Sequence, residues 1–341
     1  MKKSLCCIFI LVLALPLVFA GGRRDRGSRN KIVIYTSMYE DVYTAISNEL
    51  KRQFPRYNIE FVYGGTGTLQ ARVAAEQASG RLGCDILMVA GPAYSMELKE
   101  KGMLHSYQSR AVSSLAFDYD SEGYWYPVRV SNMVLAYNPE RNARNTIPNS
   151  FHDFANDASL RGTISMSNPL ISGTTMAAIT ALKEKYGFSY FEALGRQGVM
   201  INSGPVALEK LESGEVKAAM ILEELILKQR EEKKSRLEII YPNDGTIMIP
   251  SSIMIVNEQW SANRNTSIAE EISDWFLSPE GQNAIVAGWM HSVRINFPIL
   301  PSGSISSDQI RTNSMPINWE NYFRQGEEIL SGFEESVTHN R

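Results

Sequence analysis

The sequence predicts an α/β fold in which a mostly parallel sheet carries helices on both faces. Short runs of β-branched and other apolar residues alternate with segments whose apolar residues recur at helical spacing. Glycine, serine and threonine follow several of these runs, where a chain turns from a strand into a helix. Such alternation builds parallel sheets. The 341 residues suffice for two units of roughly 150 residues each.

The first unit is the clearest part of the pattern. Strands are predicted over residues 31–36, 58–63 and 84–90. A helix with apolar residues at 42, 46, 50 and 54 follows the first strand and stops before Pro55. A second helix is predicted over residues 69–78. The result is a βαβαβ arrangement, whose ligands bind beyond the C-terminal ends of the strands.

The loop between the second strand and the second helix has the composition of an anion site. It reads Tyr-Gly-Gly-Thr-Gly-Thr-Leu over residues 63–69, and it contains Thr66, Gly67 and Thr68. Backbone N–H groups at a helix start point outward, and the helix dipole adds partial positive charge. Ser37, after the first strand, falls at the same edge. We interpret the loop as a grip on a small anionic solute, with an ordinary strand–helix turn as the alternative.

A second strand–loop–helix start lies in the middle of the chain. Ser172, Gly173, Thr174 and Thr175 follow a strand at 162–166 and precede a helical pattern at 176–186. Plain N-capping by serine or threonine explains these residues as well as an anion site does. Facing the first loop, however, the second loop would complete a cleft.

Further polar residues follow the later strands. Asn202 and Ser203 precede a short helix, and Glu223 and Glu224 follow an apolar strand at 216–222. The two carboxylates could accept hydrogen bonds from hydroxyl groups or pair with an amine. They could also simply form the first turn of the next helix, where a negative charge interacts favourably with the helix dipole.

Two long extended runs, at 124–137 and 246–256, could carry the chain from one lobe to the other and back. Arg129 lies in the first run, where it could bind an anion or be structural. Trp125 and Tyr126 could stack against a ring or belong to the core. From residue 298 the chain is predicted to be loop-like, with an amphipathic helix over 319–333.

The N-terminus has the pattern of an export signal. Lys2 and Lys3 precede an apolar segment at 5–18, and cleavage is expected after Ala20. An uncleaved membrane anchor is the alternative. Residues 21–30, with four arginines, are predicted to form a flexible leader.

Charge and cysteine content limit the function. Removal of the signal changes the formal net charge from −3 to about −5. A mildly acidic chain lacks the excess of positive charge with which proteins bind nucleic acid. Cys84 is then the only cysteine, so no internal disulfide is possible, and a buried, inert thiol is expected. The sequence contains no nucleophile elbow, metal-binding histidine cluster or P-loop, so we predict neither an enzyme nor a cofactor.

The pattern as a whole resembles the periplasmic substrate-binding proteins of ABC importers. It is most similar to the branch that holds ferric-ion, hexose-phosphate, phosphonate and polyamine binders. The segments that carry the resemblance are 32–37, 64–69, 85–90, 171–175, the most specific segment 206–216, and the late helix signature at 269–281.

The resemblance implies a two-lobed fold of type II, with crossings near 126–132 and 248–256. The first lobe would comprise residues 31–130 and 252–300, the second lobe 131–251, and a C-terminal tail with a helix 301–341. The solute would bind between the lobes, which close by a hinge motion. The protein would be a monomer in the periplasm that delivers its solute to the permease subunits.

The resemblance also ranks the solutes. Ferric-ion binders of this branch place two adjacent tyrosines where this sequence has Glu223 and Glu224. We therefore expect a small phosphorylated or anionic solute, with a hexose phosphate first, and keep ferric ion, phosphonates and polyamines as alternatives. The predicted ligand-binding residues are Ser37, Thr66, Gly67, Thr68, Arg129, Ser172, Gly173, Thr174, Thr175, Asn202, Ser203, Glu223 and Glu224.

Overall fold

The computed structural model describes residues 30–261 and 263–339. The predicted export signal at 1–20 and nearly all of the leader at 21–30 lie outside these residues. The strands are β1 (Lys31–Thr36), β2 (Asn58–Tyr63), β3 (Ile86–Ala90), β4 (Leu104–His105), β5 (Trp125–Tyr137), β6 (Ile164–Ser167), β7 (Met200–Asn202), β8 (Ala218–Leu222), β9 (Glu238–Ile240) and β10 (Ile247–Val256). The helices are α1 (Glu40–Gln53), α2 (Thr66–Ala78), α3 (Ala93–Glu100), α4 (Phe151–Asn156), α5 (Gly173–Tyr186), α6 (Ser189–Arg196), α7 (Gly204–Ser213), α8 (Glu223–Lys233), α9 (Thr266–Leu277), α10 (Pro279–Ala287), α11 (Ser307–Thr312) and α12 (Trp319–His339).

Two long antiparallel strands, β5 and β10, join the two halves of the molecule. The strand order is β2-β1-β3-β10-β5-β8-β6-β7, with β4 on β10 and β9 on β5. Pairing is parallel on both outer sides, between β1 and its neighbours and between β6 and its neighbours. We call the part with β1–β4, α1–α3, α9 and α10 the first lobe, and the part with β6–β9 and α4–α8 the second lobe. The predicted α/β fold with two crossing strands is confirmed; the residue boundaries of the lobes stay a prediction.

Each lobe buries apolar side chains on both faces of its sheet. Along β1, Ile32 and Ile34 join the cluster that includes α1, whereas Val33 and Tyr35 join the cluster on the opposite face. This alternation follows from the two-residue repeat of a strand, and it explains why a strand buried on both faces is a continuous apolar run in sequence. Cys84 is fully buried, and burial raises the pKa of its thiol, as expected of an inert cysteine.

The helices that follow the polar loops begin earlier than the sequence pattern indicates. Helix α2 begins at Thr66, not at residue 69, and α5 begins at Gly173, not at residue 176. The predicted starts were placed at the first apolar residue, because hydrophobic periodicity does not register a polar first turn. The first turn of α2 therefore contains Thr66, Gly67 and Thr68, and that of α5 contains Gly173, Thr174 and Thr175, whereas Gly64 and Gly65 precede α2.

The C-terminal segment is more ordered than the loop predicted from residue 298. It contains α11, which begins with a capping box at Ser306 and Gln309, and α12, which continues to His339. Phe333 of α12 packs edge-to-face on Phe191 of α6, with ring centroids 5.1 Å apart. At its other end, Trp319 lies against Gly91 of the first lobe. Within residues 30–261 and 263–339, none of the helices is both long enough and apolar enough to cross a membrane.

Candidate functional site

The C-terminal ends of strands from both lobes surround a cavity of about 120 Å³. Helices α1, α2, α5, α7 and α8 all begin at its wall, where their cap or first residues are lining residues. The first N–H groups of a helix have no partner within the helix, and each helix start carries partial positive charge. The backbone alone therefore makes this cavity favourable for an anion.

The helix starts differ in how many of their first N–H groups are already bound by a capping side chain. The Ser172 hydroxyl accepts a hydrogen bond from the Thr175 N–H at 3.2 Å, and Ser203 caps α7 in the same way. The cap of α2 is Gly65, which has no side chain to accept a hydrogen bond. Helix α2 therefore presents a start without side-chain capping to the cavity, as an anion-binding helix does.

Arg129 is the buried cation of the site, and only 4 % of its surface is exposed. Its Nη2 donates to the Ser37 hydroxyl and its Nη1 to the Ser131 hydroxyl, both at 3.1 Å. Its Nε has no hydrogen-bond partner within the part of the chain that the structure describes. Burial lowers the pKa of Arg129 and the Glu224 carboxylate opposes this shift, so the guanidinium remains charged at neutral pH.

Glu223 and Glu224 lie in different environments. Glu224 lines the cavity and accepts a 2.7 Å hydrogen bond from Ser131; burial raises the pKa of its carboxyl, and the Ser131 hydroxyl and Arg129 oppose this. Glu223 points away from the cavity, towards Asn132 and His291, each at 3.0 Å. Consecutive residues of a helix point about 100° apart, so the two carboxylates point in different directions. Of the two predicted carboxylates, only Glu224 lines the cavity, and a contact of Glu223 with the solute stays a prediction.

Glu223 instead connects the crossing strands with the C-terminal segment. Besides Asn132 and His291, its carboxylate accepts hydrogen bonds from the hydroxyls of Tyr241 and Ser304. Burial acts to raise the pKa of Glu223, but these hydrogen bonds, that from His291 above all, outweigh it and hold the pKa below its ordinary value. Glu223 therefore links β5 to the segment after α10 through hydrogen bonds.

Opposite pKa shifts predict opposite pH effects for the two carboxyls. The lowered pKa of Glu223 stabilises the fold above its ordinary pKa of 4.5, and this stabilisation is lost as the pH falls through the folded-state pKa. The raised pKa of Glu224 has the opposite sign, because its charged form costs stability as the pH rises. We expect Glu223→Gln to lower the free energy of unfolding at pH 7 by about 1.5–3 kcal/mol and Glu224→Gln to leave it unchanged or raise it.

Urea denaturation of both variants between pH 4 and 8 measures these effects. The stability difference between wild type and Glu223→Gln should shrink towards pH 4, and any gain from Glu224→Gln should grow towards pH 8. The same pH profile for both variants would show that the two environments have been assigned wrongly.

An aromatic pair forms one wall of the cavity. The rings of Tyr39 and Tyr63 lie with centroids 5.8 Å apart at an interplanar angle of 38°. Burial raises the pKa of both phenols, so both are neutral at pH 7. Trp125 and Tyr126, considered above as stacking residues, are core residues that are 6 % and 1 % exposed.

The two lobes are in direct backbone contact beside the cavity. The Gly67 N–H donates to the Ile171 carbonyl at 3.3 Å. A β-carbon added at Gly67 would lie 2.0 Å from the Leu170 carbonyl oxygen, and one at Gly173 would lie 2.5 Å from the Thr66 side chain. Because the starts of α2 and α5 meet this closely, the lobes are in a closed arrangement.

Most predicted site residues are brought together in this cavity. Its wall includes Ser37, Thr66, Thr68, Arg129, Ser172, Gly173, Thr174, Asn202, Ser203 and Glu224. Three others are not among the lining residues: Gly67 bonds across the lobes, the Thr175 hydroxyl donates to Ser172 at 2.9 Å, and Glu223 accepts from Asn132.

Sequence reasoning missed several lining residues. They include Met38, Tyr39, Val42, Tyr63, Ser167, Asn168, Ile171, Pro205 and Met290. Tyr39 and Tyr63 flank the predicted loops, so the rule that strand ends converge could have identified them. Met290 follows α10, far away in sequence, and no local signal marks it. Residues 30–261 and 263–339 contain no group of three or more His, Cys, Asp or Glu that could hold a metal ion.

The sequence of this chain is similar to those of known proteins. The family model for bacterial extracellular solute-binding proteins matches residues 84–323. The chain belongs to this family. It is 22 % identical over 288 residues to a probable ABC transporter periplasmic-binding protein, y4fP, of Sinorhizobium fredii, covering 77 % of this chain and 75 % of the relative.

Solved structures share the fold at lower identity. Iron-bound HitA from Pseudomonas aeruginosa has a TM-score of 0.75 and 18 % identity, covering 90 % of this chain and 99 % of HitA. AfuA from Actinobacillus pleuropneumoniae, with fructose-6-phosphate bound, has a TM-score of 0.77 and 19 % identity, covering 90 % of this chain and 98 % of AfuA. Members of the extracellular solute-binding family are transport proteins. This member is the periplasmic solute-binding component of an ABC transporter, which acts with permease subunits on a small solute.

Proposed function

We propose that the protein, exported by a signal peptide cleaved after Ala20, binds a small phosphorylated solute between its lobes and delivers it to an ABC permease. The observation that carries this proposal is the convergence of helix starts and the buried Arg129 on one cavity. A phosphate has several strong acceptor oxygens, and these match N–H groups, hydroxyl groups and a guanidinium. A hexose phosphate is the first candidate by family resemblance.

The charge balance of the wall supports an anionic solute. Arg129 is the buried cation of the cavity, and helix starts add partial positive charge from both lobes. The opposing group is Glu224, and burial raises the pKa of its carboxyl because it disfavours the charged form. A cationic amine would meet unfavourable potentials on most sides, so polyamines rank below phosphates and phosphonates.

Ferric ion is the second candidate, because two phenols and a carboxyl line the cavity: Tyr39, Tyr63 and Glu224. Phenolates and carboxylates are hard oxygen ligands suited to ferric iron. Against this candidate, Arg129 repels a cation, and burial and neighbouring groups raise the pKa of Tyr39 and so disfavour its phenolate. The phosphorylated solute therefore ranks first.

A thermal-shift screen tests the proposal. The probes are fructose 6-phosphate, glucose 6-phosphate, inorganic phosphate, a phosphonate, spermidine and ferric citrate. A ligand at 100 times its Kd adds about 2.7 kcal/mol of stability, so a true ligand gives a clear shift. Stabilisation by phosphate compounds is expected, without release of free phosphate from the sugar phosphates. Stabilisation by iron alone, with a charge-transfer colour, would instead establish the second candidate.

Thr68→Glu is expected to abolish binding of a phosphorylated solute while the fold remains intact. Thr68 lies in the first turn of α2 and lines the cavity, so a carboxylate there repels the solute. The same carboxylate suits the helix dipole, so the melting temperature should not fall. Thr68→Gln is the matched neutral control, with similar size and no charge. Calorimetric titration compares the two variants, and equal affinities would place the anion elsewhere.

A further inference from the structure

We propose that the solute carries a flat, unsaturated ring beside its phosphate, so that the substrate class is a phosphate ester of an aromatic or heteroaromatic alcohol. This inference rests on the proposed function, and it specifies the part of the solute that does not bind the helix starts. It departs from the hexose phosphate that the family resemblance ranks first.

The first argument is the aromatic wall. Tyr63 ends β2 beside the start of α2, so its ring lies next to the proposed anion site. It is 44 % exposed, although the lobes around the cavity are in contact. Its neighbour Tyr39 reaches the second lobe, since a β-carbon on Gly204 would lie 2.8 Å from the Tyr39 hydroxyl. A ring beside the phosphate could stack on these faces.

The second argument is that several polar side chains of the wall already hydrogen-bond within the protein, which leaves fewer of them for the hydroxyl groups of a sugar. The Asn168 carbonyl oxygen accepts from the Leu170 N–H at 2.9 Å, and the Asn202 amide donates to Ser165 at 3.0 Å. Glu224 accepts from Ser131, and Ser37 accepts from Arg129. A polyhydroxylated body needs partners for every buried hydroxyl, because an unpaired buried polar group is costly.

The third argument is the rest of the wall. Besides the helix starts and the polar groups, the cavity is lined by apolar side chains that include Met38, Val42, Pro205, Leu222 and Met290. Methionine adapts to an aromatic ring and makes favourable sulfur contacts with it. This lining suits a flat ring better than a hydrated polyol.

Three probes separate these chemistries: phenyl phosphate, cyclohexyl phosphate and fructose 6-phosphate. The first two share a phosphate ester on a six-membered ring and differ in whether the ring is flat. By calorimetric titration, we expect the wild type to bind phenyl phosphate at least tenfold more tightly than either of the other two. Tyr63→Leu should reduce the preference over cyclohexyl phosphate to less than threefold, whereas Tyr63→Phe, which keeps the ring, should retain it.

The outcomes distinguish the inference from the function on which it rests. Equal binding of phenyl and cyclohexyl phosphate, tighter binding of fructose 6-phosphate, or an unchanged preference in Tyr63→Leu would overturn the aromatic class and leave a phosphate-binding protein. Failure of all three probes and of inorganic phosphate to bind would overturn the proposed function as well. Circular dichroism of each variant confirms that it is folded.

Discussion

Replacing Gly67 with alanine is expected to prevent closure of the lobes and to weaken solute binding at least about 100-fold. The new methyl group would lie 2.0 Å from the Leu170 carbonyl oxygen and 3.3 Å from the Ile171 Cα. Both neighbours are backbone atoms, so the clash is relieved only by moving the lobes apart. If the closed, binding-competent state falls to about 1 % of the population, the apparent Kd rises by the same factor.

Gly64→Ala is the matched control for this variant. Gly64 lies three residues earlier, and the atoms nearest to a β-carbon there belong to side chains, the closest being Cγ and Cδ2 of Leu69 at 3.1 Å. In Gly67→Ala, the new residue lies in a helix, where alanine is favoured over glycine. We therefore expect the melting temperature of Gly67→Ala not to fall below that of the wild type. Calorimetry measures the affinity, and small-angle X-ray scattering with solute measures closure. Wild-type affinity in Gly67→Ala would show that contact between α2 and α5 is not needed for binding.

Arg129→Met is expected to lower the affinity for a phosphorylated solute by about 2–5 kcal/mol. Arg129 is buried in the cavity wall, and its guanidinium donates to the hydroxyl of Ser37, which also lines the cavity. Truncating one partner of a buried charge-assisted contact typically costs this much. The variant also removes the cation that opposes the raised pKa of Glu224, so it should lose stability as well.

The double variant Arg129→Met/Glu224→Gln separates binding from stability. Removing both partners of a buried charged pair is often nearly neutral, so urea denaturation should show most of the lost stability restored. Solute binding should not return, because the cation is still absent. Recovery of affinity in the double variant would mean that Arg129 acts only by balancing Glu224.

The sequence was sufficient to predict the fold, and most of the residues predicted to bind the solute line one cavity. Parallel strands followed by glycine, serine and threonine place their loops at one edge, and Thr66, Thr68, Ser172 and Gly173 do meet there. Local patterns carry this information, because strand and helix periods are properties of short segments. The helix starts were misplaced, since a polar first turn has no apolar periodicity.

Other features depend on contacts that no local pattern encodes. Whether Glu223 or Glu224 faces the cavity depends on the rotation of α8, and the partner of Glu223, His291, lies 68 residues further along the chain. The pairing of Tyr39 with Tyr63 depends on how α1 packs beside β2. The order of the C-terminal segment arises from its packing on α5 and α6, not from its own composition.

The contact between Gly67 and residues 170–171 acts as a latch made almost entirely of main-chain atoms. Such a latch is indifferent to what the chamber holds, because no side chain that touches the cargo takes part in the Gly67–Ile171 bond. Aromatic, acidic and hydroxyl side chains that line the chamber can therefore be replaced during evolution without any change in the main-chain contact that holds the two lobes together. Proteins with this architecture could thus acquire a new cargo through a few wall substitutions, and the permease would still meet the same shut form.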